Sequence, residues 1–416
     1  MKTQSRPAES AASLLAAGRL RTVFQPIVEV DGERIVGYEA LVRGPQGSAL
    51  ELPGALMASA REEGILPAFD RSCRELALGD AFAAGLGRRD LVFINVEPEG
   101  LETGGILDRL AERHLGKFAV VVELTERALA ARPREVLAAV RWLRERRCHI
   151  ALDDVGVDHR SLALMPFISP DVIKVDRRLV HGELAAAGSA RVLNAVRAEV
   201  ERSGALILAE GVETRQHYRR ACAMGATLAQ GWMFGRPRAL LDLPPPGHSI
   251  DLPHREPQAE ALETPFTRLA GSRRVLRGDK RLLLSLSRQL EQEALGVKEE
   301  AVVISSFQEA SFFTPATRRR YEQLARSAAL VAAIGVDMDA TPGAGIRGAS
   351  LRAGDPLHGE WNVIVVGPHF AAAFVARDLG DDRPDEERRF DYFVTYDRGL
   401  VVEAASLLLG SVVPSS

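Results

Sequence analysis

The sequence predicts an α/β fold: a TIM-like (β/α)8 barrel with an antiparallel first strand, followed by a smaller α+β domain. Eight short strand-like runs follow one another in the first part of the chain. Most are separated by long stretches with apolar residues at helical spacing, such as PREVLAAVRWLRERR. The length of 416 residues also exceeds what one hydrophobic core usually supports, so two domains are expected.

The strand-like runs are TVFQPIV, IVGYEAL, LVFINV, FAVVVEL, HIALDD, DVIKVD, LILAEG and LAQGWMF. The first two are joined only by EVDGER, in which Asp31 and Gly32 favour a tight hairpin rather than a helical crossover. The first strand is therefore expected to run antiparallel to its neighbour.

Composition divides the chain into a barrel over residues 10–240, a Pro-rich linker over 241–278 and a small domain over 279–412. The linker is rich in proline, histidine and mixed charge, and it shows no sustained hydrophobic period. Beyond it, helical runs alternate with the β-rich runs AVVISSF, WNVIVVG and YFVTYD, which is typical of an α+β domain. The aromatic residues Tyr321, Trp361 and Phe390 are interpreted as core rather than as a ligand pocket.

Charge and composition exclude several classes of protein. A formal net charge of -3 with no basic run argues against a nucleic-acid partner. No apolar run approaches the roughly 20 residues that span a bilayer, so no membrane association is expected. Three widely separated cysteines, Cys73, Cys148 and Cys222, favour a reducing compartment and hence a cytoplasmic protein.

Polar residues collect at the ends of the strand-like runs, where barrels of this kind place their catalytic groups. These residues are Glu39, Asn95, Glu123, Asp153, Asp154, Lys174, Asp176, Glu210 and Gln230. Carboxylates that converge on one mouth repel each other unless cations lie between them. Oxygen donors without His or Cys favour Mg²⁺ or Mn²⁺ over Zn²⁺. Two such ions roughly 4 Å apart suit phosphoryl hydrolysis.

Each of these residues has an ordinary explanation when it is considered alone. An acidic pair at a strand end is usually a solvated loop, and a lone lysine usually lies at the surface. Asn95 alone would be interpreted as a turn residue. The recurrence of polar residues at successive strand ends favours the metal site.

The ordered motifs FQPIV, EALVR, FINVEP, VELTE, LDDVG, PDVIKVD, AEGVET and QGWMFGRP resemble those of the EAL domains. The resemblance covers roughly residues 10–240. It implies a metal-dependent phosphodiesterase, with two Mg²⁺ or Mn²⁺ ions per active site, that hydrolyses the bacterial second messenger cyclic di-GMP to linear pGpG. It also implies a homodimer that forms through the barrel.

The resemblance implies a role for each matching residue. It assigns metal ligation to Glu39, Asn95, Glu123, Asp153, Asp154 and Asp176. Glu210 would hold or deprotonate the attacking water, and Lys174 would steady that water or the charge on phosphorus. Gln230 and Glu213 would support these catalytic groups. Gln25, Leu41 and Arg43 would bind the substrate, and the forked donors of Arg43 suit phosphate.

The loop after Asp154 departs from the family pattern Asp-Phe-Gly-x-Gly-Tyr-Ser-Ser-Leu. Here Asp154 is followed by VGVDHRSL, so Phe, Gly, Tyr and one Ser are replaced over Val155–Ser161. In the family this loop links metal binding to dimer contacts, so the change concerns rate or regulation. His159 is interpreted as an ordinary loop residue. The alternative function is therefore a cyclic di-GMP receptor with little or no turnover, and a scaffold without binding is a third class.

The C-terminal part resembles the DICT domain, a sensory module found attached to cyclic di-GMP enzymes and two-component proteins. The resemblance implies that this domain regulates the barrel in response to a ligand or protein partner that the sequence does not identify. The two domains are adjacent in one chain, but adjacency does not by itself establish that one regulates the other.

Overall fold

The computed structural model describes residues 9–101, 116–183, 186–253, 255, 263–297, 301–352 and 354–412. Eight strands close into a barrel in sequence order, as the sequence predicts. Strand β1 pairs antiparallel with both β2 and β8, whereas the other neighbours are parallel. The barrel strands are β1 Arg21–Glu29, β2 Arg34–Arg43, β3 Leu91–Asn95, β4 Ala119–Thr125, β5 His149–Val155, β6 Val172–Val175, β7 Leu206–Ala209 and β8 Leu228–Gln230.

The hairpin between β1 and β2 confirms the prediction made from its turn residues. Gly32 has a φ of 92° and Glu33 a φ of 52°, so both lie in the left-handed region that glycine adopts readily. The four-residue connection leaves no room for a helix, and the strands it joins must therefore be antiparallel.

Helices surround the barrel and connect its parallel strands. Within the described ranges they are α1 Ala11–Ala16, α2 Pro53–Glu62, α3 Leu66–Ala83, α4 Glu126–Ala131, α5 Pro133–Glu145, α6 Met165–Ile168, α7 Arg177–His181, α8 Ala186–Ser203 and α9 Arg215–Ala223. A 3₁₀ turn over His159–Leu164 lies between β5 and α6. Each helix of these ranges is too short or too polar to cross a lipid bilayer.

Apolar residues fill the barrel below the mouth. This inner layer consists of Ile27, Val36, Leu91, Phe93, Val121, Ala151, Val172, Leu208 and Leu228. Ile250 and Leu252, which follow the barrel in sequence, pack against it from the bottom. Gly247 and His248 also donate backbone hydrogen bonds to Ile35 O. The first part of the predicted linker therefore lies against the barrel.

The C-terminal domain is a mixed seven-stranded sheet of order β12-β11-β10-β13-β14-β15-β9, which confirms the predicted α+β class. Its strands are β9 Leu276–Asp279, β10 Val302–Glu309, β11 Leu330–Val336, β12 Arg347–Ser350, β13 Glu360–Val366, β14 Ala371–Asp378 and β15 Arg389–Thr395. Its helices are α10 Pro265–Ala270, α11 Lys280–Val297, α12 Pro315–Ala325 and α13 Arg398–Leu409.

The aromatic residues of this domain are core residues. Tyr321 is fully buried in one apolar cluster, whereas Phe390 and the partly buried Trp361 belong to another. Trp361 packs edge-on against Phe374, with ring centroids 5.2 Å apart. Tyr321 and the pair Trp361 and Phe390 therefore lie in separate apolar clusters.

Candidate metal-dependent active site

Lys174 lies at the centre of the barrel mouth and is 1% exposed. Its ammonium group contacts four carboxylates. The Nζ atom lies 2.7 Å from Glu123 Oε1, 3.0 Å from Asp153 Oδ1, 3.0 Å from Glu210 Oε1 and 3.7 Å from Glu39 Oε1. One positive charge therefore faces four acidic groups, which leaves the cluster with an excess of negative charge.

The period of two along a strand explains why these side chains point inward. Val172 belongs to the inner apolar layer and Ile173 to the outer one, so Lys174 returns to the inside. The same step of two residues repeats around the barrel. It leads from Phe93 to Asn95, from Val121 to Glu123, from Ala151 to Asp153, from Leu208 to Glu210 and from Leu228 to Gln230. The sequence thus places polar side chains one layer above the apolar interior.

Asp154 reaches the site by a local distortion of its strand. In a regular strand, Asp153 and Asp154 would point to opposite sides. The register between β5 and β6 shifts between Leu152 and Val155, and Asp154 adopts a φ of 58°. Carboxylate oxygens of Asp153, Asp154 and Glu210 consequently lie within 4.8 Å of one another. Such a backbone conformation costs about 1–3 kcal/mol and is typical of functional sites.

Hydrogen bonds orient Glu39 within the cluster. Asn95 Nδ2 donates to Glu39 Oε1 at 3.1 Å, and Gln230 Nε2 donates to Glu39 Oε2 at 2.6 Å. Gln230 Nε2 also lies 3.1 Å from Gln25 Oε1, and Gln25 Nε2 donates to Gly235 O at 3.2 Å. Side-chain amides from β1, β3 and β8 therefore form one network around this carboxylate.

Burial and neighbouring charges shift the pKa values at the mouth. The pKa rises for Glu123, Glu210 and Lys174 and falls for Glu39. Burial, followed by the charge of Glu39, holds the pKa of Glu123 well above its ordinary value. Burial also raises the pKa of Glu210 to about 8, against the opposing effect of Lys174. For Glu39, burial is outweighed by Lys174 and by the amide hydrogen bonds, which together lower its pKa. The pKa of Lys174 is raised well above normal, because four carboxylates outweigh its burial.

The remaining predicted residues lie around this cluster. Asp176 caps α7, since its Oδ1 accepts from Arg178 N at 3.0 Å and from Arg178 Nε at 2.8 Å. Glu213 is exposed. Leu41 is half-buried on β2, and Arg43 Nη1 donates to Val42 O at 2.8 Å. The roles of these residues in ligation, catalysis and substrate binding stay predictions.

The cluster fits divalent cations with oxygen ligands. Glu123 is 2% exposed, and its Oε2 is buried without a hydrogen-bond partner in the part of the chain that the structure describes. A buried carboxylate oxygen without a partner is costly, and a metal ion is one way to compensate it. The donors at the mouth are carboxylates and amides, which suit Mg²⁺ and Mn²⁺.

Two histidines that the sequence interpretation did not select support the Glu210 loop. The rings of His181 and His217 stack with centroids 4.1 Å apart. His181 Nε2 lies 2.8 Å from Gly211 O, and His217 Nδ1 accepts from Glu213 N at 3.4 Å. The two rings therefore contact the backbone directly after Glu210. No signal in the sequence links these isolated histidines, because 35 residues of chain separate them.

The chain belongs to the EAL domain family, whose model matches residues 8–237, more than half of the chain. Residues 261–379 match the sensory domain found in diguanylate cyclases and two-component systems, the DICT domain. The closed barrel and its acidic mouth lie within the EAL match.

The curated relatives are distant. An uncharacterized protein of Mycobacterium tuberculosis is 30% identical over 228 residues, which cover 52% of this chain and 36% of that protein. The cyclic di-GMP phosphodiesterase RocR of Pseudomonas aeruginosa is 29% identical over 234 residues, covering 53% of this chain and 58% of RocR. The chain thus spans less than two thirds of the length of these relatives.

A solved structure also resembles the chain. The calcium and cyclic di-GMP complex of BlrP1 from Klebsiella pneumoniae is 27% identical, with a TM-score of 0.48. The match covers 57% of this chain and 58% of that one.

Proposed function

We propose that this protein hydrolyses cyclic di-GMP to linear pGpG with the help of two Mg²⁺ or Mn²⁺ ions. The observation that supports the proposal best is the mouth of the EAL barrel, where one buried lysine faces four carboxylates from different strands. A cyclic di-GMP phosphodiesterase among the relatives supports the choice of substrate.

The proposed metal ligands are the acidic and amide side chains at the strand ends. They are Glu39, Asn95, Glu123, Asp153 and Asp154, and Asp176 would join them in exchange for its contact with Arg178. Divalent cations would polarise a phosphoryl oxygen of the substrate and lower the pKa of a bound water. The protein contributes their positions, because each ligand lies on or directly after a barrel strand.

Lys174 and Glu210 have complementary roles in this proposal. The Lys174 ammonium is held by carboxylates from several strands, so it is preorganised to stabilise charge that develops on the phosphoryl group. In the metal-free chain, burial raises the pKa of Glu210 to about 8. Cations bound beside it would favour the ionised carboxylate, which would accept a proton from the attacking water. Gln230 and Glu213 would support these two residues, and Gln25, Leu41 and Arg43 would contact the substrate.

Four further proposals concern the whole protein. The proposed domain boundaries stay at 10–240, 241–278 and 279–412, although α10 and β9, which lie almost entirely within 241–278, pack with the C-terminal domain. The C-terminal domain is proposed to regulate the barrel. Two copies would pair through the barrel. A cytoplasmic location is proposed from the wide separation of Cys73, Cys148 and Cys222 along the chain.

Product analysis tests the proposal. The full chain is incubated with cyclic di-GMP and Mn²⁺ or Mg²⁺, and the nucleotides are separated by chromatography. We expect pGpG with either metal, no product in excess chelator, and inhibition by Ca²⁺, whose longer and looser coordination misplaces the attacking water. Full activity in chelator would contradict the two-metal proposal.

Binding without turnover is the alternative outcome of the same experiment. The altered loop after Asp154 is the observation that favours it, because Val155, which replaces the family's Phe, directly follows the proposed ligands. Calorimetric binding of cyclic di-GMP in Ca²⁺, together with no product in Mn²⁺, would identify a receptor. A loop variant carrying the family's Phe, Gly, Tyr and Ser would then show whether these substitutions limit the rate.

A further inference from the structure

The C-terminal helix α13 is buried from two sides. Its apolar residues Val401, Val402, Ala404, Ala405, Leu408 and Leu409 are at most 6% exposed. It contacts strands β10, β13 and β14 and helix α10 of its own domain, and also helix α6 of the barrel. A single cluster of buried apolar residues consequently extends from the outer layer of the barrel into the C-terminal sheet.

A hydrogen bond and a charge interaction accompany this apolar contact. Arg347 at the start of β12 donates from Nη1 to Ala131 O, the last residue of α4, at 3.2 Å. Carbonyl groups at a helix C-terminus lack intrahelical partners and attract cations. At the other end of the contact, burial lowers the pKa of Arg398, and the barrel residue Glu199 opposes this shift. The sensory domain is thus held by apolar and polar contacts.

The barrel elements in this contact continue directly from two metal-site strands. Helix α4 begins three residues after Glu123, and the 3₁₀ turn His159–Leu164 begins five residues after Asp154. The turn contacts α4, α6 and α8. We call α4, this turn and α6 the sensor-facing surface. Because packed elements shift as units, a displacement at this surface moves the backbone of Glu123 and Asp154.

We propose that the sensory domain binds the sensor-facing surface of its own barrel and thereby sets the metal affinity of the mouth. This inference rests on the proposed metal-dependent function. The path from the sensory domain to the metal site runs through the sensor-facing surface within one chain. The dimer contacts that the family resemblance implies would act in addition to it. A signal that weakens the contact at Arg347 or α13 lowers metal affinity, because Glu123 and Asp154 lose a fixed position.

Arg347→Ala in the full chain tests the inference. Mn²⁺ binding is measured by calorimetry, and amide hydrogen exchange is measured by mass spectrometry without metal. We expect the Kd for Mn²⁺ to rise by about two- to tenfold, the effect of losing one hydrogen bond. We also expect faster exchange in peptides covering α4 and α6. Arg347→Lys, which keeps a cation at the end of α4, should restore at least half of the change in log Kd.

Arg281→Ala is the matched control. Arg281 also lies in the sensory domain and pairs with Glu386 at 2.9 Å, but both side chains are more than 70% exposed. We expect wild-type Mn²⁺ affinity and wild-type exchange for this variant. An unchanged Kd in Arg347→Ala, or an equal change in Arg281→Ala, overturns the inference. Failure of the wild-type chain to bind Mn²⁺ would instead overturn the proposed function.

Discussion

Both ends of the barrel bury charged side chains, but carboxylates are in excess at the mouth and guanidinium groups are in excess at the bottom. At the mouth, Lys174 faces four carboxylates. At the bottom, the fully buried Asp171 faces two guanidinium groups. Arg144 donates to Asp171 Oδ2, and Arg255 Nε donates to Oδ1 at 3.1 Å. The amide of Ile150 also donates to Asp171 Oδ2 at 2.7 Å.

The difference shows which end is suited to bind a cation. Burial raises the pKa of Asp171, but His149 and Arg144 outweigh this effect and lower it below normal. The pKa of Glu123 is instead raised, by burial and then by its acidic neighbour Glu39. A buried carboxylate that is paired with cationic side chains stabilises the folded chain. Carboxylates in excess of the neighbouring cationic side chains require a bound cation. We therefore assign a structural role to the bottom cluster and the proposed catalytic role to the mouth.

The largest expected effect concerns the bottom cluster. Asp171→Ala leaves Arg144 and Arg255 buried without their carboxylate, and the loss of one partner of a buried ion pair costs about 3–5 kcal/mol. Urea unfolding should show this decrease in the free energy of unfolding. The exposed Asp251, which follows the barrel in sequence between Ile250 and Leu252, provides the control Asp251→Ala, expected within about 0.5 kcal/mol of wild type. A loss below about 1 kcal/mol for Asp171→Ala would contradict the structural role.

The second effect concerns catalysis at the mouth. Glu210→Gln keeps the shape of the side chain but removes its proton exchange, so kcat for cyclic di-GMP hydrolysis should fall by a factor on the order of 10². Lys174→Ala should lower kcat by a similar factor. Affinity for cyclic di-GMP should change little in both variants, because the lost interactions act in the transition state. Glu201→Gln on the exposed side of α8 should keep the wild-type rate. A near-normal kcat in Glu210→Gln would disprove the assigned role.

A smaller effect is expected from pH. Burial raises the pKa of Glu210 from 4.5 to about 8, so the folded chain binds more protons than the unfolded chain within this range. The free energy of unfolding of the metal-free protein should therefore fall as pH rises from 4.5 to about 8. Saturating Mn²⁺ should remove this fall, since cations held beside Glu210 favour its ionised carboxylate throughout. Asp171, with its lowered pKa, acts in the opposite sense and loses its stabilising contribution only in more acidic solution.

Urea titrations at a series of pH values, with chelator and with Mn²⁺, measure this dependence. Stability that stays level or rises with pH in chelator would contradict the raised pKa of Glu210, and the contrast between the two ends would fail.

The smallest effect concerns the segment after the barrel. Arg255 Nη2 donates to Pro170 O and Ser203 O, both at 2.9 Å, in addition to its contact with Asp171. Arg255→Ala should lower the free energy of unfolding by about 1–2 kcal/mol, less than Asp171→Ala, because Arg144 still pairs with the carboxylate. The exposed Arg288 on α11 offers the control Arg288→Ala, which should unfold like the wild type. Equal losses in both arginine variants would mean that Arg255 does not hold this segment on the barrel.

The sequence predicted the barrel and the polar layer because both depend on local patterns. The period of two in VIKV and the turn chemistry of Asp31 and Gly32 act within a few residues. The predicted strand ends therefore lie together at one mouth. Asp176 shows the limit of this interpretation, because a residue directly after a strand can also cap the next helix, and here it does.

The tertiary structure alone decided the charge balance at each end and the position of the sensory domain. Asp171 meets Arg255 across 84 residues of chain, and Arg347 meets Ala131 across 216. Such contacts depend on the closure of the barrel and on the packing of α13 between two domains, which no local period encodes. Local sequence patterns are therefore enough to predict which side chains occupy the mouth. Long-range packing decides which carboxylates are paired with cationic side chains and where the sensory domain contacts the barrel.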